Sequence, residues 1–360
     1  MSNFLERPSV QPWARVKKSQ QLELILASVL PTVIALFVVN VFGVHGAFGM
    51  ITVFLPLQIL AAGFVGVRRF GKKGFGDSLL LVSTISFAAL VAVLLLSVLY
   101  SVIIKGFPAL SAHFITQNNV YVSTTTSLEY GGVGHAILGT LLVVVLATLA
   151  AVPLGLAMAV FLTQSQSRLT GPVRSFTQAL AGLPSIVSGL FILSILPFLG
   201  MERSGLAGAM ALFPLMLPTV ARVAEEALRL VPADLRMAAL ALGAPNYRAF
   251  FQVILPAAKS GVVTAVLLGL ARIVGETAPL ILTLNANVST NLNPFEGGIA
   301  ALPTYVYGFI SSGYDTSLSR AWGAALVLVI LVGILFGLAR VFSRSKSLKT
   351  KSSSKKKGNK

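Results

Sequence analysis

Arg272 and Glu276 stand four residues apart inside the otherwise apolar stretch Gly261–Leu284. Positions so spaced on an α-helix differ by about 40° in direction and about 6 Å in rise, so the spacing predicts both charges on one helix face. A charge at the centre of a bilayer costs roughly 3 kcal/mol on insertion scales, and more in simulation. Such residues mark substrate or ion pathways by default, and the basic member points to an anion. Helical ion pairs do better with the acid on the N-terminal side. The order here is reversed, which leaves Arg272 freer for another partner. A guanidinium takes oxyanions bidentately and stays charged when desolvated. Glu276 would compensate it when no ion is bound and keep binding weak enough for release. The competing reading of the pair is an interhelical salt bridge to a second subunit. Thr277 and Ser185 are candidate lining residues, against the plainer reading that their hydroxyls bond their own helix backbone; Gln178 is similar.

The elements that must hold these residues follow from composition. Of 360 residues, 55% are apolar and only 11% charged, where soluble domains carry about 25% charged residues. That predicts an all-α polytopic membrane protein. No cysteine is present, which excludes disulfides and thiolate metal sites. The net charge of +17 raises a nucleic-acid reading. The basic residues, however, cluster between and after apolar stretches, as they do on the inner side of a membrane. A span needs about 20 apolar residues, and the chain offers eight, at 20–42, 47–67, 79–104, 134–163, 176–200, 204–222, 260–284 and 320–342. Pro184, Pro197, Pro214 and Pro218 interrupt the fifth and sixth, which a membrane tolerates where neighbours or cavity water meet the freed backbone groups. The apolar run Leu22–Phe42 is too long for a cleaved leader and reads as a retained span. With the N-terminus inside, 24 of the 28 Lys and Arg fall in inner segments, and Lys105, Arg203 and Arg320 in outer loops. Both termini therefore read as cytoplasmic. Outer loops 106–132 and 285–319 are long, as functional loops often are, and the Lys/Ser-rich tail reads as disordered.

Residues 222–259 form the longest inner segment, read as two helices around a sharp turn. The second, Asp234–Leu242, has Asp234 as its expected N-cap, Gly243 as a positive-φ terminator and Pro245 as a block to continuation. A short Ala-rich helix presented to the cytosol suits docking of a partner; the alternative is an ordinary connecting loop. Here the residues carry a resemblance. Ala238-Ala239-x3-Gly243-x9-Val253-Ile254-Leu255-Pro256 is similar to the Glu-Ala-Ala loop of binding-protein-dependent ABC importer permeases, with Met237 at the position of the family Glu. Ala271-Arg272-Ile273-Val274-Gly275-Glu276-Thr277-Ala278-Pro279, Gly131-Gly132-Val133-Gly134 with Gly139-Thr140, and Ala181 through Leu190 resemble segments of the PstA family of phosphate-importer permeases.

The resemblance implies a type I importer core of six spans over 76–345, with two added spans in 1–75 and a polybasic tail from 346. It places the chain in a bacterial inner membrane. It implies Arg272, Glu276, Thr277 and Ser185 on a phosphate pathway, and Ala238, Ala239, Gly243, Leu255 and Pro256 in ATPase coupling. The implied partners are a PstC-like permease, a PstB-like ATPase dimer and a PstS-like phosphate-binding protein. Another oxyanion, such as molybdate, tungstate or sulfate, is the alternative passenger. No Gly-x4-Gly-Lys-Ser/Thr occurs, so ATP must be hydrolysed elsewhere. No catalytic residue, cofactor or metal is expected: His45, His113 and His135 lack ligand spacing and read as membrane-border residues. A secondary anion carrier would need ionisable residues in several spans and an inverted repeat. An intramembrane enzyme would need an Asp pair, a His-Glu zinc motif or Gly-x-Ser-x-Gly.

Overall fold

The computed structural model describes residues 29–38 and 47–343. Most of the first expected span, His45 and the basic tail lie outside the described residues. The chain forms two compact units, Met1–Tyr100 and Ser101–Lys360, and every regular element among the described residues is helical. In the first unit α1 covers Val29–Val38, and α2 starts at Ala47 and runs on to Gly106. Gly71 within α2 has φ 67° and ψ −157°, a conformation outside the helical region, so two helices meet there. The apolar helix before it, Thr52–Arg68, falls short of the roughly 20 residues a crossing needs.

The second unit carries a helical bundle: α3 (Ala112–Thr116), α4 (Gly134–Gln164), α5 (Thr170–Ala181), α6 (Ser185–Ile195), α7 (Gly205–Arg229), α8 (Ala233–Ala241), α9 (Asn246–Ala249), α10 (Leu255–Val274), α11 (Ala278–Thr283), α12 (Leu302–Ile310) and α13 (Asp315–Ser343). The apolar length of α4 suits a bilayer, and its threonines are tolerated because they bond back. Thr140, Thr148 and Thr163 donate to the carbonyls of Ala136, Val144 and Ala159 at 2.7, 2.6 and 2.9 Å. Helix α7 opens on Ser204, whose Oγ accepts from the Ala207 amide at 3.4 Å.

Helix α7 is the axis of this bundle: 61% of its apolar window is buried, against 33% for α4 and 28% for α13. Leu212, Leu215, Met216 and Val220 of α7 are closed to solvent among Val143, Ala147 and Ala151 of α4 and Ile273 of α10. Alanines on the facing side let the helices approach closely, and dispersion then holds them where lipid supplies no hydrophobic drive.

Three expectations about spans are corrected. Pro214 and Pro218 lie inside α7 without ending it. The helix is clasped on several sides, and the Ser188 hydroxyl donates to the Ala211 carbonyl at 2.6 Å beside the prolines. The expected span 176–200 is instead α5 and α6, bent by 102° at Gly182–Pro184, with Pro197 in a 3₁₀ turn Leu196–Leu199. The expected span 260–284 begins earlier, at Asn246, and stops at Val274. Among the described residues five helices are long and apolar enough to cross a membrane, or six with the bent pair taken as one span. The expectation was eight, two of them N-terminal, and most of the first of these lies outside the described residues.

Truncating the axis should show its weight. Leu215→Ala is expected to lower unfolding stability by about 2–5 kcal/mol, whereas Leu149→Ala, on the outward face of α4, should stay within about 0.5 kcal/mol. Equal losses in thermal unfolding of the detergent-purified protein would contradict α7 as the core.

Candidate functional site

Pro279 decides the local structure around the charged pair. In a continuous helix its ring would clash with the Gly275 carbonyl, and it has no N–H to give. The chain therefore leaves the helix after Val274, and α11 starts at Ala278 with Thr277 at its N-cap and Pro279 in its first turn. Arg272 and Glu276 consequently do not share one helix face, which corrects the expectation from their spacing. Arg272 lies in the last turn of α10, where the carbonyl end of a helix favours a cation. Glu276 lies in the break just before α11, at the end that favours an anion. No ion pair joins the two within 4.0 Å among the described residues. Instead Arg272 Nη1 donates to Thr219 Oγ1 of α7 at 3.2 Å. The guanidinium is exposed on this single chain, and Glu276 is half-buried. The arginine is thus pinned at one nitrogen, and no other side-chain hydrogen bond holds its fork among the described residues.

The expected hydroxyls are placed differently. Thr277 Oγ1 turns back to the Gly275 carbonyl at 3.5 Å, the plainer of its two readings. Ser185 is the first residue of α6 and half-buried. Helices α6 and α11 pack without a side chain between them at Gly189, where a Cβ would stand 2.7 Å from Pro279 Cα. The structure thus puts the elements that carry Ser185 and Thr277 in contact, yet no hydrogen bond among the described residues links Arg272, Glu276, Thr277 and Ser185 to one another. A cavity of about 700 Å³ between α4, α5, α6 and α7 is lined by residues such as Phe176, Val187, Phe191 and Phe213. With almost no polar wall it cannot take a desolvated multiply charged ion.

At the opposite end of α10 lies the expected docking element. Helix α8 spans Ala233–Ala241, one residue earlier than expected, with Pro232 at the N-cap. Asp234 is not the cap; it sits in the first turn, where its carboxylate suits the helix dipole. Gly243 has φ 81°, as its position required. Its amide donates to Leu240 O at 2.9 Å and the Ala244 amide to Ala239 O at 3.1 Å, the two bonds of a Schellman closure. None of the nine residues of α8 is buried. Ala238 is exposed and Ala239 half-buried, with Met237 exposed beside them and Leu242 89% exposed at the tip. The chain re-enters the bundle through a π-helical turn, Phe250–Ile254, that accommodates the ring of Pro256 in the first turn of α10. Leu255 packs on a cluster of Ala224, Leu228, Phe250 and Ile254, which fixes the turn that follows α8 to the end of α7, while Pro256 faces outward.

Sequence reasoning missed two polar groups. Glu225 of α7 receives Arg174 Nη2 from α5 at 2.9 Å and Arg229 Nη2 from its own helix at 2.8 Å. The Glu225–Arg229 spacing was legible as a favourable i,i+4 pair; the partner from α5 was not. The second group lies at the far end of the bundle. Arg320, expected in an outer loop, is completely buried in α13, and His135, expected at a membrane border, is buried in α4. His113 is exposed.

Residues 151–347 match the family model of the binding-protein-dependent transport system inner membrane component. The chain is 44% identical over 207 residues to the phosphate transport system permease protein PstA 1 of Mycobacterium tuberculosis (strain CDC 1551 / Oshkosh), covering 57% of this chain and 68% of that protein. It is 36% identical over 252 residues to the phosphate transport system permease protein PstA of Pasteurella multocida (strain Pm70), covering 69% and 88%. Among solved structures, a chain of an amino acid ABC transporter with histidines aligns at a TM-score of 0.47 and 22% identity, covering 58% of this chain and 91% of that one.

Gly243→Ala tests the closure of α8. A Cβ in the left-handed region costs roughly 1–2 kcal/mol. Faster hydrogen exchange at the amides of residues 243 and 244 is expected, with the rest of α10 unchanged; unaltered protection there would contradict the strain.

Proposed function

We propose a function from one premise: the chain belongs to the family of binding-protein-dependent transport system inner membrane components. As such it is a multi-pass inner-membrane permease subunit of an ABC transporter, without catalytic residues of its own. The passenger we propose is phosphate. Its relatives named as phosphate transport permeases are 36–44% identical to it, and the chemistry at Arg272 suits that ion. Phosphate carries about −1.5 to −2 charge near neutral pH. Arg272 would meet it bidentately at the break between α10 and α11, Thr219 would hold the guanidinium in place, and Glu276 would oppose over-tight binding. The exposure of Arg272 on the isolated chain fits a pathway completed by a second, PstC-like permease.

In this reading the end bearing α8 is cytoplasmic, which the distribution of Lys and Arg supports, and both termini lie there too. PstB-like ATPases would take α8 into a cleft and hydrolyse ATP. A PstS-like binding protein would deliver phosphate to the loops at the other end. Motion of α8 would reach the pathway through α7, to which Leu255 anchors the loop and on which Thr219 holds Arg272. The Arg174–Glu225 pair would carry the same motion to α5 and α6. The division of the chain into a permease core from residue 76 and two added N-terminal spans belongs to the same proposal.

The observation that carries the reading is the arginine at a helix break with no carboxylate within ion-pair reach among the described residues. A charge-assisted hydrogen bond lost from a desolvated site is worth about 1.5–3 kcal/mol, so Arg272→Ala in the assembled transporter should reduce phosphate uptake by about tenfold or more, and Arg272→Lys by less. Unimpaired uptake in both variants would falsify the passage role. Sulfate and molybdate uptake measured alongside tests the passenger. Leu242→Asp, at the exposed tip of the loop, should reduce co-purification of the ATPase and ATP-dependent uptake together; full retention of both would remove α8 from coupling.

A further inference from the structure

Seven residue side-chain atoms among the described residues are buried without a hydrogen-bond partner, and five of these belong to one neighbourhood. They are Asn119 Oδ1, His135 Nδ1, Tyr305 Oη, Arg320 Nε and Arg320 Nη1. Their residues are 5, 3, 6 and 0% exposed in that order. Asn119, His135 and Tyr305 line a cavity of about 190 Å³ at the end of the bundle opposite α8, between the start of α4, helix α12 and the loops 117–133 and 285–301. The His135 and Tyr305 rings meet edge to face at 5.8 Å, and Phe309 stacks on Tyr305 at 4.4 Å, so both polar groups are held in place. Arg320 stands behind Tyr305, close enough for its charge to act on the hydroxyl, though no well-formed hydrogen bond joins them.

The charge is the anomaly. Nη2 of Arg320 donates to the carbonyls of Ser127 and Tyr130 at 2.6 Å each and of Thr126 at 3.3 Å, which ties α13 to the first long loop. Carbonyls orient a guanidinium without neutralising it. No carboxylate lies within 4.0 Å of Arg320 among the described residues; Glu129, Glu296 and Asp315 are all exposed. A buried cation without a counter-charge costs several kcal/mol. Nor does the cavity suit other ligands. A metal ion would be repelled by Arg320 and find no carboxylate, and an apolar molecule would leave three polar groups unmet. The volume is several times the roughly 30 Å³ share of one water, and water would leave the charge uncompensated.

We propose that this cavity is a second binding site, for a small oxyanion, on the permease itself. Tyr305 donates its hydroxyl, which burial pushes up to about 12 and so keeps protonated. His135 donates from Nδ1 in the corresponding tautomer, and rotation of the Asn119 amide presents its NH₂. Arg320 supplies the field that favours a negative ligand. The site lies at the other end of the bundle from the coupling helix and does not include Arg272. The binding claim goes beyond the proposed function and does not require it; only a role as a stop on the way to Arg272 rests on that reading.

The experiment is titration of inorganic phosphate, and separately sulfate, into the full chain purified in detergent in chloride buffer, read by calorimetry and by thermal midpoint. Saturable binding that survives in Arg272→Ala and weakens at least tenfold in both Tyr305→Phe and His135→Gln is expected. These variants spare the Nη2 clamp that Arg320→Gln would break. The proposal is overturned by an absence of saturable binding of either ion. It is also overturned if binding is lost in Arg272→Ala, or kept in Tyr305→Phe and His135→Gln. Intact binding in a complex that transports no phosphate would instead count against the proposed function and leave this site standing.

Discussion

A helix that stops inside a bilayer finds no partner in lipid for its hydrogen bonds, and the break at Gly275–Thr277 is tolerable only where protein covers it or where it lines a water-filled cavity. That constraint organises the second unit. Helix α7 stands at the centre so that α10 can end against it, and Thr219 reaches across to the arginine at that end. Helix α6 presses on α11 at Gly189, with no side chain between, and so packs the helix that follows the gap. Each charge then faces the helix terminus of opposite polarity. Arg272 and Glu276 are stabilised by the ends of two helices rather than by each other, and this keeps the guanidinium available.

Much of this was legible in the chain. The apolar lengths that give α4 and α13 could be read directly. So could the exposed helix before Gly243, because a lone glycine between an Ala-rich run and Pro245 has few other uses. The break was written there too: Pro279 four residues after Gly275 forbids a continuous helix. Hydropathy obscured it, since the run stays apolar through Leu284. Pro214 and Pro218 misled in the other direction. A proline ends an isolated helix, but one embraced by neighbours keeps its axis because packing supplies more than the lost bond. Arg320 and His135 were misplaced for a related reason. Their positions beside span boundaries suggest water contact, and only the fold of two long loops over them excludes it.

The two ends of the bundle differ in kind. At one end loops of Ser, Thr and Asn are sewn down by side-chain bonds, among them Thr290 to Asn118 at 2.7 Å and Ser317 to the Thr124 carbonyl at 2.7 Å. At the other, Glu225 bridges α5 and α7 through exposed arginines whose pairing is weak at a surface. Helix α7 runs unbroken between the two ends.

Helix α8 holds itself shut with its own backbone and lends no side chain to the interior. Its residue choices therefore carry almost no debt to the rest of the polypeptide. Under the proposed docking role, substitutions there, Met237 among them, would be judged by the partner surface they meet, so this short stretch could drift in step with another gene product while the spans around it stand still.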